Sequence, residues 1–284
     1  YSNADISNYL HAYIAETSSL AKPFHVVWYK SPTNSSPTLP LDHYLRGEVN
    51  DLVIMRSSWT DKFATWIGVK SGTNSSPHSH LDLGSFELDA GGVRWAKDLG
   101  SDDYNLDGYW TMGVNGKRWT YYRLGSLSHN VPVLGNKNQY ELAKASFSST
   151  ALNVSEPSAT IDLSQAYRDY SSKSTRKISL VNNRKDVVIE DDFVIKSATE
   201  VAWGMTTDQS IEILPSGKAI LRNATITTKT LEAEIISPAG AKFTIESAKK
   251  SAPEKLNTGT QRLMVRIANQ IGNVKLQIKL SPKG

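Results

Sequence analysis

The sequence predicts a mainly β protein, an antiparallel β-sandwich over residues 51–284 preceded by a short helical segment. Three observations predict it. From Leu52 onward, apolar and polar residues alternate in many short runs. Glycine and proline turn signals such as Gly91-Gly92, Pro215-Ser-Gly217 and Pro238-Ala-Gly240 separate those runs. Helical periodicity is confined to the start of the chain, so too few helices are present to cover a parallel sheet.

Ser2-Asn3-Ala4 reads as the remnant of a cleaved tag, with residues 1–4 outside the natural chain and the true N-terminus, with any export signal, expected upstream. Residues 5–20 read as a helix: Asp5 or Ser7 can cap it, and Tyr9, Leu10, Tyr13 and Ile14 repeat at helical spacing. Residues 31–41, rich in Ser, Thr, Asn and Pro, read as a loop, so 5–50 form a helical remnant and linker. The strands then follow in order. Leu52–Arg56 and Thr65–Val69 alternate, and Phe86–Ala90 and Val93–Lys97 flank a glycine turn as a hairpin. Further strands are expected at Thr160–Leu163, Lys177–Val181, Asp186–Ile195, Glu200–Thr206, Ser210–Leu214, Lys218–Leu221, Leu231–Ile236, Lys242–Ile245, Arg262–Ile267 and Asn273–Leu280.

Composition narrows the function classes. The absence of cysteine removes disulfides, thiol catalysis and cysteine-based zinc sites. No apolar run is long enough to span a bilayer, and no membrane partner is expected. The net charge of +4 and pI of about 9.0 suit an acidic polymer, but Lys and Arg form no blocks, which argues against nucleic acid and for ordinary surface charge.

Chemistry concentrates in His78-Ser-His80-Leu-Asp82, Asp98 and His129. On an extended segment residues i and i+2 face the same way, so His78 and His80 would point into one site, with Asp82 on the same face. Two imidazoles and carboxylates on a β scaffold suit a first-row metal. The competing reading is of partly buried histidines satisfied by backbone. Gly72-x5-His78-x-His80 also matches the opening of a cupin metal motif, but the next Glu is Glu87, with six residues between it and the second His, so the match fails at its third ligand.

A longer pattern leads elsewhere. Pro77-His-Ser-His-Leu-Asp-Leu-Gly-Ser-Phe-Glu-Leu88, Gly92-Val-Arg-Trp-Ala-Lys-Asp-Leu-Gly100 and Tyr104 resemble the signature of the heparinase II/III-like lyases. So do Arg118-Trp119, Ser128-His-Asn130, the Gly135-x-x-x-Gln139 turn, Asp162-Leu-Ser-Gln-Ala-Tyr167 and Asp186-Val-Val-Ile-Glu-Asp-Asp192. The resemblance covers roughly residues 50–195. It implies a β-sandwich of the supersandwich type, following an N-terminal α/α toroid of the same protein of which 5–50 would be the remnant. It further implies a polysaccharide lyase acting on an acidic, uronate-containing polymer, periplasmic or secreted in a bacterium. Carried over residue by residue, His78 is the catalytic candidate, while His80, Asp98 and His129 hold a structural zinc and Asp82 stands beside them without ligating. The toroid would supply the catalytic Tyr, which no Tyr of this chain matches, so the chain alone is expected to be inactive.

The aromatic residues Trp59, Trp66, Trp95, Trp110 and Trp119 could stack on sugars, with Trp59 and Trp110 nearest loops; sandwich tryptophans are more often core. Lys70, Arg94 and Arg118 could meet sugar carboxylates or sulfates, or be solvated strand positions. Besides the lyase, two alternatives stand: a carbohydrate-binding sandwich without chemistry, and a cupin-like metal enzyme.

Overall fold

The computed structural model describes residues 39–284 and His11. The chain divides into two units, Tyr1–Leu41 and Asp42–Gly284. The expected helix over 5–20 lies outside the described residues except for His11, which is helical, and residues 31–38 of the expected loop lie outside them as well.

The second unit is built of strands, as its alternation predicts. They are β1 (His43–Leu45), β2 (Asn50–Arg56), β3 (Trp66–Thr73), β4 (Phe86–Ala90), β5 (Val93–Ala96), β6 (Val133–Leu134), β7 (Lys144–Ala151), β8 (Ser158–Asp162), β9 (Ser171–Val181), β10 (Asp186–Thr207), β11 (Ser210–Ile213), β12 (Ala219–Arg222), β13 (Thr230–Ser237), β14 (Phe243–Ser247) and β15 (Gln261–Lys283). Every pairing is antiparallel, in the order β1-β2-β3-β7-β8-β9-β10-β15-β13-β12-β11. Strands β4 and β5 extend from β3, β14 pairs β15, and β6 pairs β10.

Three strands change neighbours along their length, and this turns one ladder into a sandwich. Strand β3 pairs β4 through Trp66–Val69 and then β7 at Gly72 and Thr73. Gly72 has φ +121°, and a Cβ there would lie 2.2 Å from the Val49 carbonyl oxygen, so only glycine fits this crossing. Strand β10 pairs β9 as far as Ile195, is bulged between Ile195 and Val201, and then pairs β6. Strand β15 pairs β14 through Gln261–Val265 and β13 through Gln277–Lys283. Bulges bend a strand and raise its twist, so its two halves can serve different layers.

The sequence split β10 into 186–195 and 200–206, and β15 into 262–267 and 273–280; each is one strand. Their solvent-facing bends, at 196–198 and 269–271, interrupt the alternation without ending the ladder. Strand β7 went unread because Lys-Ala-Ser-Phe-Ser-Ser-Thr-Ala is mostly exposed and alternates only at Ala145 and Phe147, too short a run to read.

Inward-facing residues of β2–β5 (Met55, Ile67, Leu88, Trp95) and of β10, β13 and β15 (Ile189, Trp203, Leu231, Leu263, Ile278) belong to one buried cluster. Each such side chain contributes about 1.5–3 kcal/mol on burial. The site grows out of this core, on the loops that follow β3 and β5.

Candidate active site and metal cluster

Two loops carry the singled-out residues. Residues 74–85 join β3 to β4, and residues 97–132 join β5 to β6 through short 3-10 turns at Lys117–Thr120, Tyr122–Leu124 and Ser126–Ser128. They are stitched together by backbone and side chain. The Leu81 N–H donates to Leu124 O at 3.0 Å, and Ser126 Oγ donates to Leu81 O at 2.6 Å. From the segment after β6, the Gln139 amide also holds the first loop, accepting from Leu83 N at 3.0 Å and donating to Leu83 O at 2.8 Å. Neither loop could hold its buried polar backbone without the other.

The histidine pair departs from the extended geometry expected of it. Pro77 and His78 form a turn, and His78 adopts φ +64°. A left-handed residue breaks the two-residue period, so His78 and His80 do not share one site. His78 is exposed, while His80 is drawn inward. Between them, buried Ser79 is fixed by donating to Asn74 O and by accepting from Arg118 Nε and Nη2 at 3.2 and 2.9 Å.

The inner site gathers His80, Asp82, Asp98 and His129. His129 follows the Ser126–Ser128 turn and is fully buried. Its ring lies 5.2 Å from that of His80, and ligand atoms of His80, Asp82 and His129 all lie within 4.8 Å of one another. Asp98, just past β5, places Oδ2 2.6 Å from His129 Nδ1, while Oδ1 accepts from Gly100 N at 2.7 Å. His80, Asp98 and His129 are thus neighbours, and the structure adds Asp82, whose Oδ1 also pairs with Lys70 Nζ at 2.5 Å. Asp82 was legible as a face-mate of the histidines but not as a member of the cluster.

Charge is distributed unevenly over this group. Burial, reinforced by the charge of His129, pushes the His80 imidazole down to about 4, so it is neutral at ordinary pH. Burial also works against a charge on His129, but the Asp98 carboxylate overrides it and the net shift is upward. Burial opposes ionisation of Asp98 in turn, and the His129 charge and hydrogen bond hold it well below the usual carboxylate range. His129 Nε2 is buried without a hydrogen-bond partner. An orphaned imidazole nitrogen beside a neutral imidazole and carboxylates is the donor set of a first-row divalent cation.

The outer site surrounds His78. Its ring lies 5.0 Å from Trp110 and 5.8 Å from Tyr104. Trp59, the other tryptophan placed near a loop, lies under Arg56, whose guanidinium is 3.6 Å from its ring centroid. Trp95 and Trp119 are core, and Trp66 is half-buried on β3. The cations expected to meet sugar are engaged within the protein. Lys70 pairs with Asp82, and Arg94 pairs with Glu87 and Asp89. Arg118 is fully buried against the Ser79 and Tyr109 carbonyls. Glu87, which a cupin would need as third ligand, accepts from Arg94 and Asp98 N and stays out of the cluster.

Comparison with known proteins agrees with this fold. The family model described as heparinase II/III-like, C-terminal, matches residues 53–271. A mutant of heparan sulfate lyase HepC from Pedobacter heparinus superposes with TM-score 0.74 at 16% identity, over 98% of this chain and 40% of that one. The unmutated HepC of the same organism gives 0.71 at 15% identity over 100% and 42%. A heparinase III with methylated lysines gives 0.70 at 15% identity over 99% and 41%. At these identities the likeness is one of fold, and the chain spans about two fifths of the length of the structures it matches. No curated protein sequence matches significantly.

Proposed function

This chain belongs to the heparinase II/III-like family, of which it carries the C-terminal β-sandwich domain, and on that premise we propose that it is the sandwich half of a lyase that cleaves a uronate-containing polysaccharide by β-elimination. A base removes the proton beside the uronate carboxylate, the electron pair forms a carbon–carbon double bond, and the glycosidic oxygen leaves with a proton from an acid. The enolate-like charge that develops on the carboxylate needs fixed donors. His78 is our candidate for a group that meets the reacting ring. The observation that carries the reading is its placement: a left-handed turn presents the imidazole on the exposed face, within 6 Å of Tyr104 and Trp110. A non-glycine residue held at positive φ is a strained conformation that accumulates at functional sites. The remaining base, acid and carboxylate-binding groups would come from an N-terminal toroid of the longer protein.

The inner cluster has a different task. His80, Asp98 and His129 would hold zinc; the approach of His80, Asp82 and His129 ligand atoms to within 4.8 Å and the orphaned His129 Nε2 support a cation there, with Asp82 in reach as a donor, while Asp98 Oδ2 faces His129 Nδ1. The ion would supply a fixed anchor for the loop bearing His78, two residues before His80. His78 itself stays outside the cluster, free to meet substrate. A polymeric acidic substrate fits a periplasmic or secreted enzyme. The test is the longer protein incubated with heparan sulfate, chondroitin and alginate. Release of unsaturated, ultraviolet-absorbing ends that is lost in His78→Ala with zinc content retained is expected, and failure to release such ends from any uronate polymer would overturn the reading.

A further inference from the structure

We propose that Trp110 and Tyr104, together with His78, form a stacking subsite that takes one pyranose ring of the polymer through its C–H face. The inference rests on the lyase reading only for the identity of the polymer; the site itself stands on its own geometry.

The loop after β5 buries most of its large apolar residues: Leu106 is 9% exposed, Tyr109 1% and Leu124 0%. Among its aromatic residues Trp110 and Tyr104 stand out at 49% and 47%. They are not separate surface residues. The Trp110 ring lies 5.3 Å from Tyr104 at 69° and 5.0 Å from His78 at 84°, so it meets both edge to face, while His78 and Tyr104 lie 5.8 Å apart, tilted at 55°. Beneath them Tyr109 meets Trp110 at 5.1 Å and Tyr104 at 5.1 Å.

The platform is rigid because its base is a buried charge. The Arg118 guanidinium lies 4.5 Å from the Tyr109 ring centroid and 5.7 Å from that of Trp110. It donates to Tyr109 O at 2.9 Å and, twice, to Ser79 O. One guanidinium thus fixes both the residue before Trp110 and the residue after His78. Rings already held in place lose little freedom when a ligand arrives.

The shape and rim select the occupant. The loop positions around the rings, Asp103, Asn105, Asp107 and Thr111, are exposed and polar. An apolar platform of three rings with a polar border is small for a protein partner and matches a pyranose, which has an apolar C–H face and a hydroxyl rim. The Tyr104 hydroxyl and the His78 ring nitrogens give that rim hydrogen-bonding groups. Such a contact reads the face of a sugar and not its carboxylate, so this subsite would sit beside the ring that loses its proton and hold the chain in register.

The experiment is calorimetric titration of the chain with defined oligosaccharides from heparan sulfate, chondroitin and alginate, repeated with Trp110→Ala, Trp110→Phe and Tyr104→Ala. Both residues are half exposed, so the variants should melt as the wild type does. The expected result is binding of at least one probe that weakens roughly tenfold in Trp110→Ala, as loss of one stacked ring predicts, and recovers in part in Trp110→Phe. In the longer protein Trp110→Ala should raise KM more than it lowers kcat. Equal affinity of wild type and Trp110→Ala, or no binding of any probe, would overturn the subsite. So would an aromatic face shielded from acrylamide in the sugar-free longer protein, which would make it a contact between domains. Trp110-dependent binding without elimination would sink the lyase reading and leave the subsite standing. Elimination indifferent to Trp110→Ala would do the reverse.

Discussion

Replacing Asp191 by Asn should cost the fold far more than its single-atom change suggests. Asp191 on β10 is 1% exposed and receives Arg176 of β9 in a two-pronged pair, with Nε to Oδ1 at 2.7 Å and Nη2 to Oδ2 at 2.8 Å. Arg176 is fully buried, and its Nη1 donates to Gly84 O at 2.9 Å and Asn130 O at 2.6 Å, which are backbone positions of the two loops that form the site. The amide keeps the size of the carboxylate but leaves the guanidinium charged in the interior without its counter-charge, a loss of about 3–5 kcal/mol. In a unit of this size each kcal/mol moves Tm by about 2–4 °C, so a fall of roughly 6–20 °C is expected. Thermal unfolding followed by circular dichroism measures it. The double variant Asp191→Leu/Arg176→Met removes the orphan charge and should recover much of the loss. A fall of less than ~2 °C in Asp191→Asn, or a double variant no better than the single one, would refute the assignment of this pair as a buried, uncompensated-when-broken charge.

Four further outcomes are expected. Mutating His80 to Ala should remove stoichiometric zinc, read by elemental analysis of protein purified without chelator, and lower Tm with it; a wild-type protein devoid of metal would end the zinc assignment. Acid should destabilise the metal-free chain through His80: its folded value of about 4 lies below the unfolded value of about 6.5, so its contribution is complete above 6.5 and lost as pH falls toward 4, and a Tm flat over that range, or unchanged by His80→Ala, would contradict it. Because the His129 value is raised by Asp98, zinc added near pH 6.5 should displace a proton from the cluster, visible as a dependence of binding enthalpy on the ionisation enthalpy of the buffer. With the remaining acid–base groups proposed to lie on a toroid, the chain alone should show little or no elimination, since loss of one such group costs about 10²–10⁴ in rate.

The sandwich was legible because its inner strands alternate cleanly: Phe86–Ala90 reads apolar, polar, apolar, and its burial follows the same pattern. Strand β7 was illegible because Ser and Thr on an exposed strand carry no period. The bends in β10 and β15 were read as ends, since local pattern cannot tell a bulge from a turn. For the site, spacing offered His78, His80, Asp82, Asp98 and His129, the family resemblance singled out His80, Asp98 and His129, and the fold makes these three neighbours. The separate placement of His78 depended on one left-handed residue after a proline, which an alternation rule cannot foresee. The role of Arg118 was hidden for a similar reason: an arginine destined for full burial looks, in sequence, like any solvated cation.

The loop that presents His129 is fastened from far along the chain: Arg262 on β15 donates to its carbonyl at 2.9 Å, and Thr206 on β10 binds Asn130 and Ser128. Arg262 is 133 residues downstream of His129, and at about 5–20 residues per second the ribosome takes roughly 7–27 s to supply it. Through that interval both histidines have been synthesised but the strand that clamps their loop has not. Any metal that this cluster takes would therefore meet its finished pocket late, once β15 is complete and not when the ligands first appear.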